Sequence, residues 1–273
     1  MTKAVKLTEK PATEWGNYQP VPTEDRYRLI VRSWGMDKTG KDHFGLTGPG
    51  PIAIQSFDIG LEGVVEKFAR AGKDIRFAEY EFSKKVIKGA QALDQAAAKA
   101  IIEQFEDDYH TALKVARTIL WDTETELWEV ARFAEFGEKS DAPNKYERLN
   151  NWYRDLIQEA YDANVNLQLI QKTREKWANR KKQKADGRIV EEGYPTGEYE
   201  ASGFKDLRSI VQANLQHLWV PKDANDPESA AYFAVHVVNC RQNMAVAGET
   251  YQDLDWPTLG QLVFPESSEE DWQ

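Results

Sequence analysis

Residues Gly35-Met36-Asp37-Lys38-Thr39-Gly40-Lys41 carry the G-x-x-x-x-G-K spacing of a phosphate-binding loop. In such a loop, successive backbone N–H groups form a nest for an anion, and the Lys reaches the β- and γ-phosphates. Gly35 to Lys41, with Asp42 and His43 behind them, are the expected nucleotide-binding residues. The residue after the Lys is ordinarily Ser or Thr, whose hydroxyl ligates Mg²⁺. Here it is Asp42. One reading makes Asp42 a hard oxygen ligand that coordinates Mg²⁺ directly. The other places a full negative charge beside the β-phosphate. At ~5 Å and an effective dielectric near 20, that repulsion is about 3 kcal/mol, roughly a hundredfold in affinity unless a cation offsets it. Asp37 adds to the charge and Lys38 partly balances it. His43 reads as a helix residue beside the site.

A second signal follows in order. Arg117-Thr118-Ile119-Leu120-Trp121-Asp122 is a short apolar run ending in an acid. A buried central strand of this kind delivers a carboxylate to its C-terminal end, where Mg²⁺ and its waters sit. Asp122 is therefore the second expected metal residue. The plainer reading is a core strand followed by an Asp that caps the next helix.

These residues need strands before them and helices after them. Tyr27–Trp34 is rich in β-branched and aromatic residues, as a strand should be. Lys41–Thr47 predicts a short helix, stopped by Gly48-Pro49-Gly50-Pro51. A strand at Pro51–Phe57, a helix at Leu61–Ala71, a strand at Asp74–Phe82 and a long helix from about Ala90 to Ala116 follow. After Asp122 come a helix at Thr125–Phe136, a polar insertion at Gly137–Lys145, a helix at Tyr146–Ala163 and a strand at Val165–Gln171. This alternation predicts an α/β fold with a mostly parallel sheet flanked by helices. Leu207–Gln216 and Tyr232–Asn239 read as two strands without a helix between them, which predicts an antiparallel C-terminal edge. Pro257–Leu262 predicts a short helix. Residues 1–25 read as a polar arm, 26–264 as the nucleotide-binding domain and 265–273 as an acidic tail without fixed structure.

The chain has 273 residues, a net charge of −10, nine Trp and one Cys. A single domain of this length buries about three quarters of its unfolded surface. Cys240 alone forms no internal disulfide and reads as a packing residue, which suits a reducing cytosol. No run approaches ~18 apolar residues, so no membrane span is expected. Against the acidic total, residues 172–188 are strongly basic. Lys172, Arg174, Lys176, Arg180, Lys181, Lys182, Lys184 and Arg188 stand against Glu175 and Asp186, with Trp177 inside the run. Basic side chains neutralise phosphates, and an aromatic ring stacks on the bases of a single strand. The plainer reading is a solvated surface helix with an amphipathic Trp.

With this loop, this acid-ended strand and a later strand ending in Gln171, the sequence resembles RecA-like P-loop ATPases. More narrowly, it is similar to the small phage-encoded ATP-binding proteins thought to assist single-strand annealing and recombination. The phrases that carry the likeness are Gly40 to Ala53, Phe57 to Gly63, Leu120 to Thr123, Val165 to Lys172 and Tyr199 to Phe204. The resemblance implies a RecA-like core, ATP and Mg²⁺ as cofactors, and single-stranded DNA as a partner. It also implies self-assembly into a homo-oligomer, a single-strand annealing or ssDNA-binding partner protein, and a cytoplasmic location, the host's if the gene is phage-borne. It makes Gln171 the sensor of the γ-phosphate, with a solvent-facing strand-end Gln as the alternative. It asks for a carboxylate at the end of an early strand to orient the attacking water, for which Asp58, Glu79 and Glu81 qualify. Asp58, between the second strand and Gly60, has the best local setting. It makes the basic segment after Gln171 a DNA-contacting loop. If Asp42 disables magnesium chemistry, the implied function is instead a non-hydrolysing binding or scaffold protein. An unrelated α/β enzyme is the third reading.

Overall fold

The computed structural model describes residues 27–58, 60–81, 95–137, 146–183, 189–223 and 225–272. The polar arm at 1–25, Lys184, Arg188 and most of the insertion after Gly137 lie outside them, as does the side chain of Lys182. In chain order the elements are β1 (Ile30–Gly35), α1 (Lys41–Leu46), β2 (Ile52–Ser56), α2 (Val64–Arg70), β3 (Ile75–Glu79), α3 (Gln95–Val115) and β4 (Thr118–Asp122). Then come α4 (Glu124–Phe136), α5 (Glu147–Ala163), β5 (Asn166–Gln171), β6 (Thr173–Gln183), β7 (Ile189–Ala201) and α6 (Leu207–Ile210). The last are β8 (Ala213–Asp223), β9 (Asp226–Cys240), β10 (Thr250–Gln252) and α7 (Trp256–Val263).

Strands alternate the faces of their side chains, and β1 and β4 use both faces. Ile30, Ile119, Trp121, Leu167 and Leu169 point into one core, with Phe105 and Tyr109 of α3, Leu127 and Val130 of α4, and Tyr153 and Ile157 of α5. Leu29, Val31, Ala213, Leu215, Val235 and Val237 point the other way, against Phe44 of α1 and Trp256 and Leu259 of α7. Leu46, Ile52, Ile54 and Leu120 close that face beneath α2. The result is an α/β sheet with helices on both sides.

The main sheet runs β10-β9-β8-β1-β5-β4-β2-β3. The six strands from β8 to β3 pair parallel throughout. β9 and β10 add an antiparallel edge, as the sequence predicts for the C-terminal third. Three local expectations are corrected. Leu207–Ile210 is a helical turn rather than strand, because Leu207 tucks under the sheet beside Phe204 and Val211. The described part of the basic segment, Thr173–Gln183, is neither loop nor helix. It is β6, paired antiparallel with β7 in a separate two-stranded ribbon. The acidic tail is not loose: Glu269–Trp272 forms a turn and the Trp272 ring is fully buried against Tyr27 and Phe264.

Candidate nucleotide site

All parallel strands present their C-terminal ends on one edge, where ligands of open α/β sheets collect. β1 ends at Gly35, β4 at Asp122 and β5, between them, at Gln171. A cleft of about 610 Å³ opens over this edge, lined by Asp37, Lys38, Gly40, Lys41, Asp42, His43, Asp58, Asp122, Lys172 and Phe233, among others.

The loop's glycines have separate physical reasons. A Cβ on Gly35 would lie 2.3 Å from the His217 carbonyl oxygen, so only glycine lets β1 turn against β8. Gly40, at φ 86°, takes the left-handed conformation that starts α1. Thr39 donates its hydroxyl to the Met36 carbonyl (2.8 Å), which closes the turn. The Lys41 ammonium donates to the carbonyls of Gly35 (3.0 Å) and Met36 (2.8 Å). Two of its three donors thus fix it at the mouth of the loop. Burial lowers its pKa, opposed by Asp42, Asp37 and Asp122.

Under the loop lies a buried polar cluster that local sequence does not announce. Gln168 donates to Ser33 Oγ (2.9 Å) and to the Lys41 carbonyl (3.0 Å), tying β5 to β1 and to the start of α1. His217 Nε2 lies 3.1 Å from the same Ser33 Oγ. Burial pushes its pKa down to about 3, with Lys41 adding repulsion, so the ring is neutral. A polar Ser and Gln inside apolar strands were the available hints.

Asp42, Asp58 and Asp122 share the cleft with Lys41. Asp122 is 4% exposed, and burial raises its pKa well above the usual carboxylate range, with Asp42 and Asp58 adding to the rise. Asp42 is raised by burial and Asp58, against the pull of Lys41 and its own backbone. Asp58 is held by the Lys172 ammonium at 2.8 Å, and Lys172 also bridges to Glu126 at 3.0 Å. Burial pulls Lys172 down, but these two acids raise it overall. Among the described residues no three His, Cys, Asp or Glu side chains form a protein-only metal cage. A Mg²⁺ ion takes one or two carboxylates and completes its shell with water and phosphate oxygens. Asp42 and Asp122 are the residues that would hold it.

The structure separates the candidate acids. Asp58 lines the cleft. Glu79 ends the edge strand β3 and lines only the neighbouring groove with Phe77, Ile75 and Glu66, a groove that Asp58 borders as well. Glu81 is exposed beyond it. Gln171 is fully buried, which removes the solvent-facing alternative. Its amide is shared: Arg32 donates to the oxygen, and the nitrogen donates to Glu124. Glu124, which also accepts from the Phe204 amide at 3.1 Å, is pushed up to about 8, chiefly by burial. His43 packs edge-on against Phe68 of α2 at 4.9 Å.

The basic segment divides. Lys172 belongs to the cleft. Arg174, Lys176 and Arg180 lie along β6 and pair with Glu200, Glu198 and Glu192 of β7 at 2.7, 2.8 and 3.0 Å. Lys181 lies opposite Glu191. The sequence count of cations thus overstated the ribbon's positive charge, because the compensating acids come later in the chain. Trp177 is 64% exposed and Tyr199 51% exposed on the ribbon. No helix of the described residues is long and apolar enough to cross a membrane. No protein-family model matches the chain, and no curated protein is significantly similar to it.

Proposed function

We propose that this chain is a RecA-like P-loop protein that binds Mg-ATP and acts on single-stranded DNA, in recombination or strand annealing. The observation that carries the reading is convergence. Lys41, at the start of α1 just after β1, and Asp122, at the end of β4, line a single cleft, with the strand bearing Gln171 between β1 and β4. Residues 36–41 would cradle a triphosphate through their backbone N–H groups. Lys41 would bridge the β- and γ-phosphates, and Asp42 and Asp122 would carry Mg²⁺. Asp58 is the cleft acid best placed to orient a water. Bound magnesium would offset charge on the phosphates, while the residues bind, align and exclude solvent. The ribbon's exposed Trp177 and Tyr199 offer stacking surfaces for unpaired bases. Self-assembly and an annealing-protein partner belong to the same proposal.

A second reading, a non-hydrolysing nucleotide-binding scaffold, is favoured by specific contacts. Asp58 is ion-paired to Lys172, Gln171 is engaged at both ends, and Asp42 replaces the hydroxyl. Steady-state phosphate release, with and without single-stranded DNA, separates the two. DNA-stimulated turnover is expected for the ATPase. Saturable Mg-ATP binding with no turnover under either condition leaves the scaffold.

A further inference from the structure

β8 and β9 run well past the phosphate loop. Gly35 pairs with His217, and Trp219 lies two residues further along β8, roughly 7 Å beyond the loop's level. Its cross-strand partner is Phe233. The two rings meet edge to face with centroids 4.9 Å apart, and they are 55% and 40% exposed. Phe233 also lines the phosphate cleft, and its ring lies 3.3 Å from where a Cβ on Gly40 would stand. An apolar aromatic wall is therefore continuous with a cleft whose floor is charged.

We propose that Phe233 and Trp219 form a stacking platform for the base of the nucleotide whose phosphates the loop holds. The ligand class is thereby a nucleoside triphosphate rather than a simple polyphosphate. Stacking reads the π-face that every base has and needs no hydrogen bond to its edge. The inference rests on the phosphate-loop reading, and two probes keep them apart. Calorimetric titration of the full chain uses Mg-ATP and Mg-tripolyphosphate, with wild type, Phe233→Leu, Trp219→Ala and Lys41→Ala. Base–aromatic stacking predicts that Phe233→Leu and Trp219→Ala each lose about tenfold in Mg-ATP affinity and keep that for tripolyphosphate. Trp219 is 55% exposed, so its variant stands if Phe233→Leu disturbs folding. Equal wild-type affinity for the two ligands overturns the platform and leaves the loop intact. So does a parallel loss of both ligands in Trp219→Ala, or no loss of either. A Lys41→Ala chain that binds both ligands like wild type, or a wild type that binds neither, overturns the phosphate-loop reading and the platform with it.

Discussion

Asp42 is the residue on which the chemistry turns. It lies beside Lys41 at the start of α1 and shares the cleft with Asp122 and Asp58. Burial and mutual repulsion hold Asp42 and Asp122 toward their protonated forms, so a magnesium ion must compete with protons. Mg-nucleotide affinity should therefore rise with pH as these raised carboxylates ionise. Asp42→Ser removes the carboxyl beside Lys41, and with it, wherever Asp42 is ionised, a full negative charge. If Asp42 does not ligate the ion, this substitution should tighten Mg-ATP binding by up to about a hundredfold, since the repulsion removed is about 3 kcal/mol. A weakened affinity instead identifies Asp42 as a magnesium ligand. A titration series of Asp42→Ser against wild type at pH 6 and pH 8 reads both effects. That the loop, Asp42 and Asp122 lie at one strand-end cleft was legible in the sequence, because each sits in a local strand–turn–helix pattern. His217, Gln168 and Phe233 were not. His217 meets Gly35 only because β8 lies beside β1, and no pattern near either residue encodes that pairing.

At the scale of elements, the end of β5 joins the cleft to the base of the β6–β7 ribbon. Arg32, Gln171 and Glu124 form a buried chain, and the Phe204 amide completes it. Beside it, Thr125 accepts from the Lys172 amide and donates to the Ser202 carbonyl, at 3.0 and 2.8 Å. Gly203 is glycine because a Cβ there would lie 2.2 Å from Glu124 Oε2. Glu124 is raised from 4.5 to about 8. Because the folded value is the higher one, the folded state holds this proton more tightly than the unfolded chain. Its contribution to stability is complete below pH 4.5 and is lost as pH rises to about 8. Urea unfolding between pH 5 and pH 9 should show this declining contribution. Glu124→Gln should flatten that part of the slope whatever its cost at pH 5; an unchanged slope would show that Glu124 titrates normally. The ribbon was the element least legible in the sequence. Its cations are consecutive in β6, whereas the acids that answer them arrive with β7. Exposed pairs of this kind, screened by solvent, set register more than stability.

The described residues form a main sheet with helices on both faces and a two-stranded ribbon, and Trp272 packs into the core on the α7 side. Strand and helix alternation made the parallel core legible, because buried strands and amphipathic helices have distinct periods. The tail was misread because its charge pattern is that of a solvated end, while a single ring decides its position. Trp272 donates to Ser267 Oγ at 2.8 Å and lies over Gly260, where a Cβ would come within 2.3 Å of the ring. Trp272→Ala should cost about 3–5 kcal/mol, as loss of a fully buried Trp does, and chemical denaturation measures it. A loss under about 1 kcal/mol would mean the tail does not hold this face.

The central claim is that Lys41 and Asp122 serve one nucleotide. Calorimetric titration of Mg-ATP into wild type and Lys41→Ala tests it most directly. Saturable wild-type binding that weakens at least about tenfold in the variant is predicted, from the loss of a charge-assisted contact. Equal affinity in the two proteins, or no binding to wild type, would contradict it.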